Sequence, residues 1–237
     1  MITVNENLFP NWIKIGLDIM GREPINYDIS RMQAPHGGSV IQKKLMKERI
    51  LEIPITIYAG SRSQLRERVD LLPTLFHDGT NSIVFPDETG KTYYGQYEGI
   101  GSWKEDDQKA TGVLTIVCED PIKYGALVTT SHTGTATINN TGTAIIKPII
   151  EILFTGNRTD FSISLNGKTF LIRGQFRSNE RVIIDVKLRS VQYDGVMQMN
   201  LPDPYSRFAS LELVRGQNQL TFSSGADVTM KYRLGWK

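Results

Sequence analysis

Phe161-Ser162-Ile163-Ser164-Leu165-Asn166-Gly167-Lys168-Thr169-Phe170-Leu171-Ile172 decides how this chain folds. Phe161, Ile163 and Leu165 alternate with Ser162 and Ser164, which gives a strand one apolar face and one polar face. Asn166-Gly167 follows, a pair that tolerates positive φ at both central positions of a two-residue turn, and Lys168 to Ile172 runs back as the second strand of a hairpin. The same period of two recurs outward from this hairpin. Ile145 to Phe154 is a strongly apolar strand. Val182, Ile184, Val186 and Leu188 share one face of another, and Asp194-Gly195 supplies a second tight turn after Tyr193. Leu211-Glu212-Leu213 and Leu220-Thr221-Phe222 flank Gly216-Gln217-Asn218 as a further turn. Val228, Met230, Tyr232, Leu234 and Trp236 alternate with Thr229, Lys231 and Arg233 to the end of the chain. Some eight short strands at such spacing predict a β-sandwich for the second half. Thr129 to Gly142, rich in Thr, Gly and Asn, reads as the linker into it.

The first half mixes strands with one helix. Leu51, Ile53, Ile55 and Ile57 fall on one face of a strand over Arg49 to Tyr58, and Pro54, which has no N–H to give, predicts a sheet edge or a bulge there. Ser61 with Gln64 three positions on forms a capping box. Leu65, Val69, Leu72 and Phe76 make one apolar stripe at helical spacing over Arg62 to Phe76, disturbed by Pro73 and stopped at Asp78-Gly79. Ser82 to Phe85 and Thr92 to Tyr94 form a hairpin around a polar loop, and Gly112 to Cys118 is a buried strand. Ala34 to Glu48 reads as a protruding glycine-hinged loop or hairpin that carries Lys43, Lys44 and Lys47. The expected fold is mainly β with one helix: an N-terminal α+β domain over 1–128 followed by a β-sandwich domain over 129–237.

With 237 residues, 40% hydrophobic and 22% charged, the chain is globular in composition. A compact chain of this size buries roughly 70–75% of the surface its unfolded form exposes. No run approaches the ~18 apolar residues of a membrane-spanning helix. The N-terminus lacks the charged and apolar regions of a secretory signal, which predicts synthesis in a cytoplasm. The single cysteine, Cys118, has no partner for an internal disulfide. Residues 1–120 hold 13 Lys and Arg against 17 Asp and Glu, while 121–237 hold 14 against 8. Opposite signs in the two halves fit two domains with different partners, or subunits that attract one another. A nucleic-acid binder would instead gather its cations into one patch.

Chemistry is hard to place. His36, His77 and His132 are scattered, with no nucleophile elbow beside them. One Cys and three dispersed His offer no zinc spacing. Gly99-Ile100-Gly101 has no helix after it and reads as a turn, and Glu105-Asp106-Asp107 as a solvated acidic turn without calcium-loop spacing. No residue is assigned a catalytic, cofactor-binding or metal-binding role, and no cofactor or enzymatic activity is expected. A glycosidase or peptidase would need a paired carboxylate that nothing in the sequence marks. Tyr93, Tyr94, Tyr97 and Trp103 cluster, and Trp236 closes the chain. Such aromatics either fill the core or stack on sugars, so a carbohydrate-binding module that attaches to cell-wall glycans is the alternative function.

Several stretches, in order, resemble the distal tail protein (Dit) family of long-tailed, non-contractile phages. They are the Pro35-His36-Gly37-Gly38-Ser39 turn with its basic continuation, the helix from Leu65 to Phe76, and the junction Glu119-Asp120-Pro121-Ile122-Lys123-Tyr124. Asn140 to Ala144 before Lys147 to Ile152, Leu165-Asn166-Gly167, Val182 to Asp185, and Leu211 to Phe222 leading to Val228 to Arg233 complete the likeness. The resemblance implies a structural protein of the virion, made in the host cytoplasm. Its N-terminal domain would form a hexameric ring at the tail tip, able to stack as a dodecamer in isolation, and its C-terminal domain would be a galectin-like sandwich. Implied partners are the tail tube protein, the hub or tail-associated lysin, and receptor-binding proteins. At 237 residues there is no room for the sugar-binding insertion that some members carry. A head-to-tail ring needs two different complementary faces. The protruding segment with Lys43, Lys44, Lys47 and Arg49 is the expected contact with a neighbouring subunit or the hub, helped by an edge-prone strand at Arg49 to Tyr58.

Overall fold

The computed structural model describes residues 2–237. The chain divides into two compact units, the first running to Lys123 and including Lys237, the second Tyr124–Trp236.

The first unit contains β1 (Thr3–Val4), β2 (Asn7–Leu8), β3 (Ile13–Ile15), β4 (Tyr27–Gln33), β5 (Ser39–Met46), β6 (Arg49–Tyr58), α1 (Arg62–Leu71), β7 (Thr80–Val84), β8 (Thr92–Glu105) and β9 (Lys109–Cys118). Seven of these strands pair side by side in the order β2-β1-β7-β8-β9-β6-β3, antiparallel throughout, while β4 and β5 form a two-stranded sheet of their own. Leu51, Ile53, Ile55 and Ile57 of β6 and Leu114 and Ile116 of β9 point inward, where Leu65 and Leu72 of the helical segment close the core. The helix starts where its cap dictates: Ser61 Oγ accepts from Gln64 N at 3.2 Å. The return bond of the box goes one residue further back, since Gln64 Oε1 accepts from Gly60 N. At Leu72 the α-helix tightens into a 3₁₀ turn, Leu72–Leu75, because Pro73 cannot donate to an α-helical partner.

One expectation for this half changes, and one open choice is decided. The strand β6 is not an edge: β9 pairs with it from Arg49 to Tyr58, and β3 flanks its other side. Pro54 fits because its missing donor faces the side where β3 has ended, and there the Pro54 carbonyl accepts from Gly16 N at 2.7 Å. Of the four clustered aromatics, three fill the core, and Tyr94 stays half-buried outside it. Tyr93 is buried, Tyr97 stacks on Phe76 with centroids 4.5 Å apart, and Trp103 packs partly buried on the same core.

The second unit contains β10 (Lys123–His132), which begins on the last residue of the first, then β11 (Ala136–Asn140), β12 (Ile149–Phe154), β13 (Arg158–Leu165), β14 (Lys168–Phe176), β15 (Arg181–Asp185), β16 (Ser190–Tyr193), β17 (Val196–Met197), β18 (Gly216–Phe222) and β19 (Ala226–Trp236). One sheet runs β17-β16-β15-β12-β19-β10, the other β11-β18-β13-β14. Their inner faces share one core, in which Phe154 stacks on Phe176 and meets Phe161 edge-on. The hairpin β13–β14 has the expected turn, with φ of 51° at Asn166 and 77° at Gly167 and Leu165 opposite Lys168.

The expected linker is instead largely strand. Thr129 to His132 ends β10, where Ser131 Oγ and Thr229 Oγ1 share a hydrogen bond at 2.8 Å, because β-branched Thr suits a pleated surface as well as it suits a loop. Leu211 to Leu213 is not a strand either: a 3₁₀ turn over Phe208–Leu211 leads to a single bridge between Leu213 and Ile146. Buried Asn218 closes the turn after it, accepting from Val214 N and donating to the carbonyls of Val214 and Gly216, so the strand begins at Gly216. Leu188 leaves the core face and is 74% exposed, because Asp185 Oδ1 accepts from Leu188 N and bends the chain there.

Candidate functional site: a projecting arm and its clasp

A two-stranded hairpin is at best marginally stable alone in water, yet β4 and β5 stand as one. Tyr27 faces Met46, Ser30 faces Lys43 and Gln33 faces Ser39, with a bulge between Ser30 and Arg31 that places Gln42 as the extra residue. Every residue of β5 is exposed, Val40, Ile41, Leu45 and Met46 included, and Met32 on β4 joins them. The tip turns at Ala34–Gly38, where Ala34 N donates to Gly38 O and both Gly37 and Gly38 take positive φ. The sequence reading of a glycine-hinged protrusion is therefore a hairpin arm, apolar and basic together.

The four basic residues expected to act as one surface divide. Lys43 projects from β5 opposite Ser30, and the Lys44 ammonium lies 4.3 Å from the centroid of the Tyr27 ring. Lys47 sits at the root, its N–H closing onto Asn26 O. Arg49 is different: it is 94% buried, so it presents nothing to a partner. Its Nε donates to Pro121 O at 3.0 Å, and its Nη1 donates to Gly21 O at 2.5 Å and to Glu23 O at 2.8 Å. One guanidinium thus ties the arm root to the segment before the arm and to the end of the first unit. Gly21 makes the close approach possible. It takes φ +85°, and a Cβ there would stand 1.8 Å from the Ile50 carbonyl oxygen.

A second clamp beside it was invisible in the sequence. Glu88, in the polar loop between β7 and β8, accepts from Arg22 at 3.1 Å, Lys91 at 3.2 Å, Lys123 at 3.0 Å and the Tyr93 hydroxyl at 2.7 Å. Arg22 also pairs with Asp87 at 2.7 Å. Burial by itself would raise the Glu88 carboxyl, but the hydrogen bonds from Tyr93, Lys123, Arg22 and Lys91 outweigh it and hold the group well below the usual carboxylate range. Burial and the neighbouring Glu88 push the Tyr93 hydroxyl upward. Lys123 is thereby fixed to the loop that Arg22 holds from the arm side.

The linkage sign follows. A carboxyl whose folded value lies below its unfolded one, about 4.3, contributes fully above that value and loses its contribution as pH falls beneath it. At pH 7, Glu88→Gln is expected to cost ~2–3 kcal/mol, between a surface pair and a buried one. In urea titrations the gap from wild type should shrink between pH 5 and pH 3. A gap that does not change with pH would remove Glu88 as the charged centre of this clamp.

Residues that invited chemical readings take structural places. His36 lies at the arm tip. Asn81 brackets His77, accepting from its N–H and donating to its carbonyl, and His132 ends β10. The acidic turn is paired with the helix, Glu105 with Arg66 at 2.8 Å and Asp107 with Arg62 at 3.8 Å. Burial pushes the Cys118 thiol up to about 11. Among the described residues no group of three or more His, Cys, Asp or Glu could hold a metal ion.

Residues 141–236 match the family model described as Siphovirus-type tail component, C-terminal domain. The distal tail protein of Bacillus phage SPP1 is 32% identical over 187 residues, which covers 75% of this chain and 74% of that protein. The chain belongs to the distal tail protein family. Members of this family are structural components of the virion tail, and this chain is one. The crystal structure of SPP1 Dit, titled a paradigm of hub adsorption apparatus in phages infecting Gram-positive hosts, superposes with a TM-score of 0.81 at 22% identity over 98% of both chains, which establishes the common fold of this distal tail protein. A chain of the phage P2 baseplate in its activated conformation with Ca aligns over 97% of each chain at 10% identity with a TM-score of 0.45.

Proposed function

We propose that this distal tail protein assembles as a hexameric ring at the tail tip and works by shape and contact, not by catalysis. In this reading one ring face docks on the last ring of the tail tube. The other receives the hub or tail-associated lysin, and the second unit carries or braces receptor-binding proteins. The observation that supports it best is the arm: twenty residues, Tyr27–Met46, whose apolar side chains are exposed on a root held by Arg49. Such a hairpin needs a second surface to cover it, and a neighbouring subunit supplies one. Lys43, Lys44 and Lys47 meet that neighbour or the hub, and Arg49 aims them from beneath.

Native mass measurement tests the reading. A six-subunit species, or its stacked double, is the expected result. Reversing Lys43, Lys44 and Lys47 to Glu should break it into monomers while the melting temperature stays within a few degrees, because all three side chains are solvated. A strict monomer at high concentration overturns the reading, as does a ring that survives the triple reversal unchanged.

A further inference from the structure

Asn-Gly occurs once in this chain, at Asn166-Gly167, and every other asparagine precedes a residue that has a Cβ. The difference is chemical. The backbone nitrogen of the following residue can attack an asparagine side chain, and a Cβ on that residue stands in the way. Here the approach is open: both residues are exposed at the tip of the β13–β14 hairpin, and nothing lies within 4 Å of where a Gly167 Cβ would stand. The group to be attacked, by contrast, is held. Asn166 Nδ2 donates to Asn218 Oδ1 at 2.8 Å, and Asn166 Oδ1 accepts from Gln219 N at 2.8 Å. Asn166 N donates to Gln219 O at 2.9 Å. The carboxamide is thus locked onto the first half of β18.

Asn218 cannot adapt if that carboxamide changes. It is fully buried, and its Oδ1 also accepts from Val214 N at 2.9 Å. Its Nδ2 donates to the carbonyls of Val214 at 2.8 Å and Gly216 at 2.9 Å. Turning its amide over would set an NH2 against an N–H and an oxygen against two carbonyls. The acceptor that meets Asn166 is therefore fixed, and only a donor suits it.

We infer that Asn166 is a site of spontaneous deamidation, that its bonds to Asn218 and Gln219 hold the reaction off in the folded chain, and that refolding cannot undo it. When the lock opens, the Gly167 nitrogen gives its proton to hydroxide and bonds to Asn166 Cγ. The Cγ–Nδ2 bond then breaks, and Nδ2 leaves as ammonia. Water opens the resulting cyclic imide at either carbonyl, leaving aspartate or isoaspartate. Aspartate sets an oxygen against Asn218 Oδ1 where a donor stood. Isoaspartate routes the backbone through Cγ, one carbon longer, and the two-residue turn that joins Leu165 to Lys168 has no slack for it. Either product loosens the pairing of β13 with β18, so the second unit carries a covalent record of its own age.

The test follows the full-length chain in mildly alkaline buffer by peptide mass mapping, with the same chain unfolded in urea as the unheld reference. Asn166 should convert in the reference and ~10-fold or more slowly in the folded chain, a delay set by local opening. The Gln219 N–H reports that opening, because Asn166 Oδ1 is its acceptor, so its protection from hydrogen exchange should match the delay to within about threefold. Sub-denaturing urea should shorten both together, a comparison that needs no variant. Asn166→Asp, the product made directly, should speed exchange over Gln219–Phe222 by ~10-fold or more. Conversion as fast in the folded chain as in the reference overturns the lock, and so does a delay that does not follow the Gln219 protection. No conversion in the reference overturns the site. Unchanged exchange in Asn166→Asp overturns the claim that Asn218 cannot adapt.

Discussion

Arg49→Met lowers the stability of the first unit by about 3–5 kcal/mol. Methionine keeps the length and apolar stem of arginine, so the substitution tests the donors alone. Three carbonyl groups, those of Gly21, Glu23 and Pro121, lose their partner at once. A hydrogen bond to a charged donor is worth ~1.5–3 kcal/mol net, and buried carbonyls left unpaired cost as much again, though water reaching the root offsets part of the sum. For a unit of this size the melting temperature should fall by roughly 10–20 °C. Hydrogen exchange should rise at residues 21–26 and 119–121 before it rises in β6. Arg49→Lys should recover only part of the loss, because one ammonium cannot span three carbonyls that a planar fork reaches together. A loss under about 1 kcal/mol with unchanged exchange would show that the root holds without its clasp, and Arg49 would lose its role in aiming the arm.

Phe154→Ala costs the second unit a similar amount by different physics. Phe154 is fully buried, stacked on Phe176 at 4.5 Å and edge-on to Phe161 at 5.6 Å. Truncating a buried Phe to Ala costs ~3–5 kcal/mol, the transfer term plus the cavity. The two ring pairings add about 0.5–1.5 kcal/mol each, already inside that range. Hydrogen exchange in β12, β15 and β19 should accelerate by two to three orders of magnitude at pH 7. Phe154→Leu, which refills most of the volume, should recover more than half of the loss. If Phe154→Ala and Phe154→Leu cost the same, the aromatic pairing rather than the cavity governs this core.

Much of this was legible in the residues. Periodicity of two found the strands over Arg49–Tyr58 and Phe161–Leu165 because alternation is imposed by the pleat itself. Asn166-Gly167 fixed its turn locally, since few residue pairs accept positive φ twice. The protruding character of Ala34 to Glu48 was readable from Gly37-Gly38 and the lysines. Misreadings came where one composition serves two structures. Threonines at 129–130 suit strand or linker, and Leu211 and Leu213 alternate like a strand although Asn218 pins the chain into a turn.

Arg49 marks the boundary between the two kinds of information. Its charge and its place after three lysines suggested a surface, and nothing local distinguishes it from them. What buries it is the convergence of three carbonyls from residues 21, 23 and 121, segments up to 100 positions apart. The same holds for Glu88: Lys91 and Tyr93 are its near neighbours, but Arg22 and Lys123 reach it from 66 and 35 positions away, once the sheet has formed. Sequence alone set the alternation, the turns, the helix cap and the family likeness, because each depends on near neighbours or on motif order. Which charges face solvent and which clamp the backbone was decided by the tertiary structure, because burial and long-range hydrogen bonding are properties of the assembled sheet and of no single segment.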